Sequence, residues 1–250
     1  MRIEYLYRYP VKGLTAEALE QADVEPGGSI PWDRAFALAH GDAGFDPEQP
    51  QFLPKWNFMC LMKNARAALL FSVFDPKAQR LTLRRPDGVT LEANPMTIGG
   101  RRQIGAFLAE YLGDEARGEP AFHYVPGHVF CDQKAPVVSL NNLASLKDFE
   151  SKVGARRHRR RFRANIWFSG APAWAEREWI GRELQVGGAV LRVLKGTTRC
   201  PATEVNPETG ERDASPVTEL REHYGHSDLG VHAEVLQGGR FAMGDAIELL

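Results

Sequence analysis

The chain has 250 residues, of which 43% are hydrophobic and 25% charged, and its formal net charge is -1. This length suits one large β-rich domain or two smaller ones with a buried core. The small net charge argues against nucleic acid or an anionic membrane as a partner. No apolar run approaches the ~20 residues that cross a bilayer, and the N-terminal segment lacks a signal-peptide layout. The sequence therefore predicts a soluble, cytoplasmic protein.

The first half of the chain is predicted to form short β-strands. Apolar, aromatic or alternating segments are separated there by proline, glycine and aspartate, which favour turns. Their spacing favours a β-meander or barrel over repeated strand–helix–strand units. The predicted strands cover residues 3–7, 36–39, 67–74, 81–83 and 89–91.

Two helices are predicted at residues 102–112 and 142–153, where apolar side chains recur at helical spacing. Between them, the polar stretch 113–120 contains glycine and proline and indicates a domain boundary. The sequence thus predicts two domains, residues 1–115 and 116–250. The later predicted strands cover residues 164–168, 187–194, 231–236 and 245–250.

The chain has three cysteines, Cys60, Cys131 and Cys200, and no CxxC motif. This odd, widely spaced set is a poor disulfide framework and does not indicate an iron–sulfur cluster or structural zinc site. Cys200 follows a predicted strand and lies beside Arg199 and near Lys195. Such a positive environment favours the nucleophilic, metal-binding thiolate. A buried structural cysteine is the alternative interpretation, since free cysteine is usually buried.

Six arginines lie between residues 156 and 163. Arginine suits bidentate contacts with phosphate, so the cluster indicates either an anion site or a solvated charged turn. Arg163 and Asn165 are expected to enter a strand and share one of its faces. A docking surface for an acidic redox partner is a further interpretation, carried by Arg156, Arg157 and Arg159.

The segment YPVKGL places the cation of Lys12 beside Gly13. Backbone next to a glycine can approach an anion closely, so this is a second, weaker indication of an anion site. A third cation, Arg34, precedes the predicted strand at residues 36–39. None of these features alone names a ligand.

His223, His226 and His232 are the candidate ligands for a metal ion, and the first two would share a helix face. Zinc normally takes four ligands, so structural histidines are the favoured interpretation. The chain has no GxSxG motif, glycine-rich phosphate loop or dinucleotide fingerprint. These absences argue against a serine hydrolase and a nucleotide-binding enzyme.

Taken together and in order, these motifs resemble the MOSC family, the C-terminal domain type of molybdenum-cofactor sulfurase. The resemblance is closest to the subset with an extra N-terminal β-barrel domain, which includes the mitochondrial amidoxime-reducing component and bacterial reductases of N-hydroxylated bases. It implies a mainly β fold with a few helices (α+β), in which a MOSC β-barrel domain packs on an N-terminal β-rich domain. The motifs are YPVKGL, DRAFAL, APVVSLNNLASL, RFRANIWFSG, TTRCPATEVNPETG and GVHAEVLQGGRFAMGDAIEL.

The resemblance implies a molybdenum cofactor between the two domains. Cys200 would be the catalytic residue and the protein ligand of the metal, and soft thiolate suits such a centre. Lys12 and Arg34 would reach the pterin phosphate, while Arg163 and Asn165 would hold the pterin. The remaining implied cofactor contacts are Gly13, Ser139, Leu140, Thr198 and Arg199.

The chain departs from the family pattern in places. Gly13 stands where relatives often have serine, Ala164 stands where they usually have proline, and the segment 42–57 is unlike that of the better-known reductases. The ferredoxin domain that often follows in bacterial relatives does not occur before Leu250. The expectation is therefore that electrons come from a separate ferredoxin- or flavin-type donor protein.

Two functions follow from the resemblance. The first is a molybdenum-dependent oxidoreductase that reduces N-hydroxylated compounds. The alternative is a sulfur or molybdenum-cofactor carrier that uses a Cys200 persulfide or thiolate. Pyridoxal phosphate binding enters only as a property found at the level of the wider family. The sequence names neither the physiological substrate nor the oligomeric state.

Overall fold

The computed structural model describes all 250 residues and shows a mainly β chain with three α-helices, which confirms the predicted fold class. The strands are β1 Arg2–Arg8, β2 Glu17–Ala18, β3 Gln21–Val24, β4 Phe36–Ala39, β5 Phe71–Asp75, β6 Arg80–Arg84, β7 Thr90–Ala93, β8 Ala121–Tyr124, β9 Val138–Asn142, β10 Ile166–Ser169, β11 Glu183–Val186, β12 Ala189–Thr198, β13 Asp228–Gln237, β14 Gly239–Ala242 and β15 Ile247–Leu249. The helices are α1 Ile98–Leu112, α2 Leu143–Val153 and α3 Pro216–Tyr224.

Eight strands form the largest sheet, in the order β15-β11-β12-β13-β9-β10-β1-β2. β9 and β10 run parallel, and the other neighbours are antiparallel. The sheet closes on itself, because Ile3 in β1 donates to the carbonyl oxygen of Asp245 (3.0 Å) just before β15. Its inward side chains, including Leu140, Leu191 and Val231, form one buried core. This closed sheet is the predicted β-barrel.

The N-terminal half builds a second β-rich unit that packs on the barrel. β4 pairs with β8, while β5, β6 and β7 form a three-stranded sheet beside α1. Phe36, Leu81 and Leu108 belong to the core of this unit. Strand pairs nevertheless join the two halves of the sequence, because β1 pairs with β10 and β3 with β14. The division into residues 1–115 and 116–250 therefore stays a prediction.

Two of the three helices were predicted. α2 begins where Asn142 caps it by accepting from the Ala144 amide (2.9 Å), as expected of an asparagine N-cap. α1 begins at Ile98, four residues before the prediction, because the Thr97 hydroxyl caps its first turn through Gly100. The sequence pattern did not predict this first turn because it contains two adjacent glycines, and glycine has a low helix propensity. With 15 residues α1 is the longest helix, and no helix is suited to span a membrane.

The sequence prediction missed α3 and overextended one strand. α3 buries only Pro216 and Leu220, so it carries little of the apolar periodicity that reveals a helix. The strand predicted at residues 67–74 starts only at Phe71, because Ala65–Leu69 forms a 3-10 helix. The strands predicted at residues 36–39 and 231–236 lie within β4 and β13.

Candidate functional site

A cavity of about 220 Å³ is lined by residues of both the barrel and the N-terminal unit. It brings together nine of the ten residues that the sequence nominates. Leu140 is the exception: its side chain is fully buried in the barrel core and does not line the cavity, so its cofactor contact stays a prediction. Neighbours on a strand point to opposite faces, and on β9 it is Ser139 that reaches the cavity. The nine are Lys12, Gly13, Arg34, Ser139, Arg163, Asn165, Thr198, Arg199 and Cys200.

Cys200 lies two residues after the end of β12, half-buried on the cavity wall. Pro201 begins a 3-10 helix here, and the Thr203 hydroxyl donates to the Cys200 carbonyl oxygen (2.9 Å), which fixes the loop. Cys60 and Cys131 line the same cavity, and burial raises the pKa of both of these thiols. The structure thus places all three cysteines around one cavity, with Cys200 in the strand-end position expected from the sequence.

Lys55 and Asp132 are cavity residues that sequence reasoning missed. Burial acts to lower the pKa of Lys55, but the neighbouring charges of Asp132 and Cys200 raise it, so this ammonium stays charged beside the Cys200 sulfur. Asp132 forms ion pairs with Lys12 and, at 3.2 Å, with Lys55. Although burial opposes it, these two cations lower the pKa of Asp132. Lys55 begins a one-turn 3-10 helix and Asp132 lies in a loop, and neither segment has a periodic pattern that could have singled them out.

Arg34 and Arg163 both lie over the ring of Tyr9, with guanidinium carbons 4.7 and 4.3 Å from its centroid. Arg163 has a left-handed φ of 50° and ends the 3-10 helix Arg159–Phe162, so it precedes β10 and is not part of it. The prediction that it enters a strand is therefore wrong. Burial lowers the pKa of Arg163 to about 10, so the group is still a cation at neutral pH.

Ser139 and Asn165 join β9 to the segment ahead of β10. The Ser139 hydroxyl donates to Asn165 Oδ1 (2.8 Å) and accepts from the Asn165 amide (2.9 Å). Asn165 Nδ2 donates to the Tyr7 carbonyl oxygen (3.2 Å). Because these polar atoms bond to one another, the pair shapes the cavity floor through a closed network.

Arg199 is buried, and its donors are used within the protein. Its guanidinium donates to the carbonyl oxygens of Phe162 (2.6 Å) and Leu229 (2.9 Å) and to Asn141 Oδ1 (2.9 Å). Burial lowers its pKa to about 10. These bonds anchor the backbone next to Cys200, so the arginine holds the loop in place.

Three buried polar atoms on the cavity wall have no hydrogen-bond partner: Thr197 Oγ1, His232 Nδ1 and Arg161 Nε. Burial, reinforced by the charge of Arg199, lowers the pKa of His232 to about 3, so its imidazole is neutral at pH 7. Buried polar groups are nearly always hydrogen-bonded in folded proteins. A polar ligand in the cavity would satisfy these atoms.

Two of the six clustered arginines, Arg157 and Arg161, are buried and only Arg156 is exposed, so the cluster as a whole is not a solvated turn. Arg157 is buried, and its Nη2 donates to Glu219 Oε1 (2.5 Å). The guanidinium carbon of Arg159 lies 3.7 Å from the ring centroid of Tyr5. Of the three arginines assigned to a docking surface, only Arg156 is exposed.

Gly13 occupies a crowded, left-handed position. Its φ is 84°, and a Cβ added there would lie 2.8 Å from the carbonyl oxygen of Met59. A serine, as relatives often have, would meet both the conformational penalty and this contact. Glycine at position 13, where relatives often have serine, therefore allows the close approach of the segment that carries Cys60.

Two family models match the chain. The MOSC N-terminal beta barrel domain matches residues 1–114, and the MOSC domain matches residues 126–248. The chain belongs to the MOSC family. Cys200 and Arg163 thus come from the MOSC domain, while Lys12 and Arg34 come from the N-terminal domain, so both domains contribute to the cavity.

Curated relatives match this MOSC chain over limited regions. It is 36% identical to mitochondrial amidoxime-reducing component 1 of Mus musculus over 81 residues, which are 32% of this chain and 23% of the mouse protein. It is 32% identical to the Homo sapiens protein of the same name over 119 residues, which are 43% of this chain and 35% of the human protein. The matched regions thus span about a quarter to a third of these relatives' length.

Two solved structures are also similar to this MOSC chain. The YuaD protein from Bacillus subtilis aligns over 99% of this chain and 94% of its own, with a TM-score of 0.47 and 16% identity. YiiM from Geobacillus stearothermophilus aligns over 45% and 53%, with a TM-score of 0.34 and 15% identity. At these TM-scores the likeness does not bear on the fold, which rests on the strand pairing described above.

Proposed function

We propose that this MOSC protein binds a molybdenum cofactor through Cys200 and reduces N-hydroxylated compounds with electrons from a separate donor protein. The observation that carries the proposal is the cavity in which Cys200, Lys12, Arg34 and Arg163 meet. The name of the curated relatives, amidoxime-reducing component, supports both the substrate class and the use of a partner. Cytoplasmic residence, expected from the sequence, belongs to the same proposal.

The chemistry of the cavity wall fits such a cofactor. Thiolate sulfur is a soft ligand of the kind that molybdenum accepts, and Cys200 is half-buried beside the charged Lys55. Lys12 and Arg34 offer cationic groups for the pterin phosphate, and Arg163 offers donors for the pterin. The unpartnered atoms of Thr197 and His232 suit the polar edge of a pterin.

In the proposed reaction an N–OH group takes up two electrons and two protons, which yields N–H and water. The bound cofactor would supply the two-electron redox step, as cofactors do in such enzymes. Cys200 would hold the metal in place, and Arg199 would keep the Cys200 loop rigid through its buried hydrogen bonds. Lys55 would place its ammonium beside the sulfur that holds the metal.

The test uses full-length protein produced in a host that makes molybdenum cofactor. Molybdenum and pterin are measured per protein molecule in the wild type, Cys200→Ser and the control Cys131→Ser, which changes a thiol on the same wall. We expect only Cys200→Ser to lose molybdenum. Reduction of an amidoxime by a chemically reduced viologen dye is then expected for the wild type and Cys131→Ser alone. Absence of metal from the wild type would overturn the proposal.

A second function, sulfur or cofactor carriage, is favoured by one observation. The Lys55 ammonium beside Cys200 would pair with a persulfide anion as well as with a thiolate. The same protein preparations distinguish the two functions. Bound molybdenum without reduction of any N-hydroxylated compound indicates a cofactor carrier. A mass increase of one sulfur atom on Cys200, in protein that lacks metal, indicates a sulfur carrier.

A further inference from the structure

A second cavity, of about 230 Å³, lies beside the first. Two chain segments, residues 50–62 and residues 127–137, line both cavities. The segment 50–62 contributes Phe52 to the second cavity and Lys55 to the cavity that Cys200 lines. The segment 127–137 contributes Cys131 to both cavities. The two cavities therefore lie side by side between these segments. A ligand seated in the cofactor cavity would have the second cavity as its immediate neighbour.

An aromatic cluster holds the second cavity in shape. Phe58 and Phe130 line it and pack against each other, with ring centroids 5.4 Å apart. Phe45, from the segment that departs from the family pattern, contacts both rings and lies 4.8 Å from the ring of His123. Such tilted and edge-on ring contacts are stabilising, so the unusual segment is tied firmly to the cavity wall.

The lining of the second cavity combines aromatic rings with polar groups and is nearly free of charge. Phe52, Leu53 and Phe58 supply apolar surface, and no carboxylate takes part. Burial lowers the pKa of His128, so its imidazole is neutral at pH 7. Lys134 is the single charged side chain in the lining, and it is exposed. This environment suits a flat, uncharged group and offers no partner to a cation.

We propose that the second cavity binds the aromatic part of a neutral N-hydroxylated substrate, while the N–OH group reaches the cofactor cavity. This inference rests on the proposed function and narrows it to aryl substrates. The occupant follows from the wall that the two cavities share at Cys131, the aromatic rings of the second cavity and its lack of carboxylates. Phe52 at the rim would lie against the substrate ring.

The test compares an aryl and an alkyl substrate, benzamidoxime and acetamidoxime, with cofactor-loaded protein and a viologen reductant. Ala135→Trp places a bulky ring into the cavity at an exposed position, and Phe52→Ala removes rim surface. The control is Phe71→Ala, since Phe71 and Phe52 are both 42% exposed and Phe71 lies on β5, outside both cavities.

We expect KM for benzamidoxime to rise about fivefold in Phe52→Ala, from the loss of one aromatic contact, and more in Ala135→Trp. KM for acetamidoxime and all values for Phe71→Ala are expected to stay unchanged. Equal KM for benzamidoxime in all variants would overturn the inference while the reductase function stands. Equal rises for both substrates would also overturn it.

Direct binding separates this inference from the proposed function. Binding of fluorinated benzamidoxime to each variant is followed by fluorine NMR, which needs no turnover. If the wild type binds the probe, Ala135→Trp does not, and neither reduces it, the aryl cavity stands and the reductase function fails. If Ala135→Trp binds the probe as the wild type does, the inference fails whatever the activity.

Discussion

The Nη2 atom of Arg34 donates a hydrogen bond of 3.0 Å to the carbonyl oxygen of Arg163. This bond joins the N-terminal domain to the segment ahead of β10 and holds two guanidinium groups over the single ring of Tyr9. Arg34 is ion-paired with Asp33, whereas no carboxylate pairs with Arg163, whose pKa is lowered by burial. A cofactor bound beside Arg163 would supply hydrogen-bond acceptors for that guanidinium.

We expect Arg163→Gln to bind the cofactor about ten- to a hundredfold more weakly, since hydrogen bonds to charged groups contribute about 1.5–3 kcal/mol. Glutamine meets the same left-handed backbone as arginine, so the change isolates the guanidinium. Molybdenum and pterin content are the measurements. Arg160→Gln is the control, because Arg160 is partly exposed and its nearest carboxylate, Glu208, is 3.9 Å away. Equal pterin content in the two variants would contradict the assignment.

Gly13→Ser is expected to lower the free energy of unfolding by more than about 1 kcal/mol, from left-handed strain and the Met59 contact together. Gly88→Ser is the matched control, because Gly88 has a φ of 91° and open space around its Cβ position. Urea denaturation gives the free energy of unfolding of both variants. Because both positions are left-handed, the difference between the variants reports the Met59 contact. A Gly13→Ser protein no less stable than Gly88→Ser would show that the segment around Met59 yields easily.

Arg157→Ala should lower the free energy of unfolding by about 3 kcal/mol, because it leaves the largely buried Glu219 without its partner. The control is Arg156→Ala, because Arg156 is the exposed neighbour of Arg157. This change should alter the free energy of unfolding by less than about 0.5 kcal/mol. Urea denaturation measures both values. If Arg157→Ala instead left stability intact and slowed only reduction by a protein donor, the docking interpretation of this arginine would return.

Acid should weaken the fold through His123. Burial lowers the pKa of His123 to about 4, whereas the unfolded chain has a value near 6.5. The unfolded state thus binds more protons below pH 6.5, so the contribution is complete above that pH and is lost as the pH falls towards 4. We expect His123→Phe, which keeps a ring against Phe45, to lose less stability than the wild type between pH 7 and 4.5.

The measurement is urea denaturation at several pH values. His223→Phe provides the control, since His223 is exposed on α3. A wild type and His123→Phe with parallel pH profiles would show that other groups dominate acid unfolding.

Prediction from sequence succeeded where local pattern and spatial role coincide. β4 was located at its observed bounds because all four of its residues are buried and apolar. The site residues were found through the family resemblance, which carries their positions. Lys55 and Asp132 contribute charges to the cavity through contacts between segments distant in sequence, and no local pattern encodes those contacts. The internal role of Arg157 depends likewise on Glu219, 62 residues further along the chain.

The closure of the barrel by β1 has a consequence for synthesis of the protein. β1 is complete at Arg8, but its partner β10 ends at Ser169. At about 5–20 residues per second, the ribosome takes roughly ten to thirty seconds to cover that interval. Such long-range pairing also slows folding itself. Through this period the edge of β1 that pairs with β10 has no partner. A cofactor that needs Lys12 together with Cys200 can be taken up only after translation of the barrel is nearly finished.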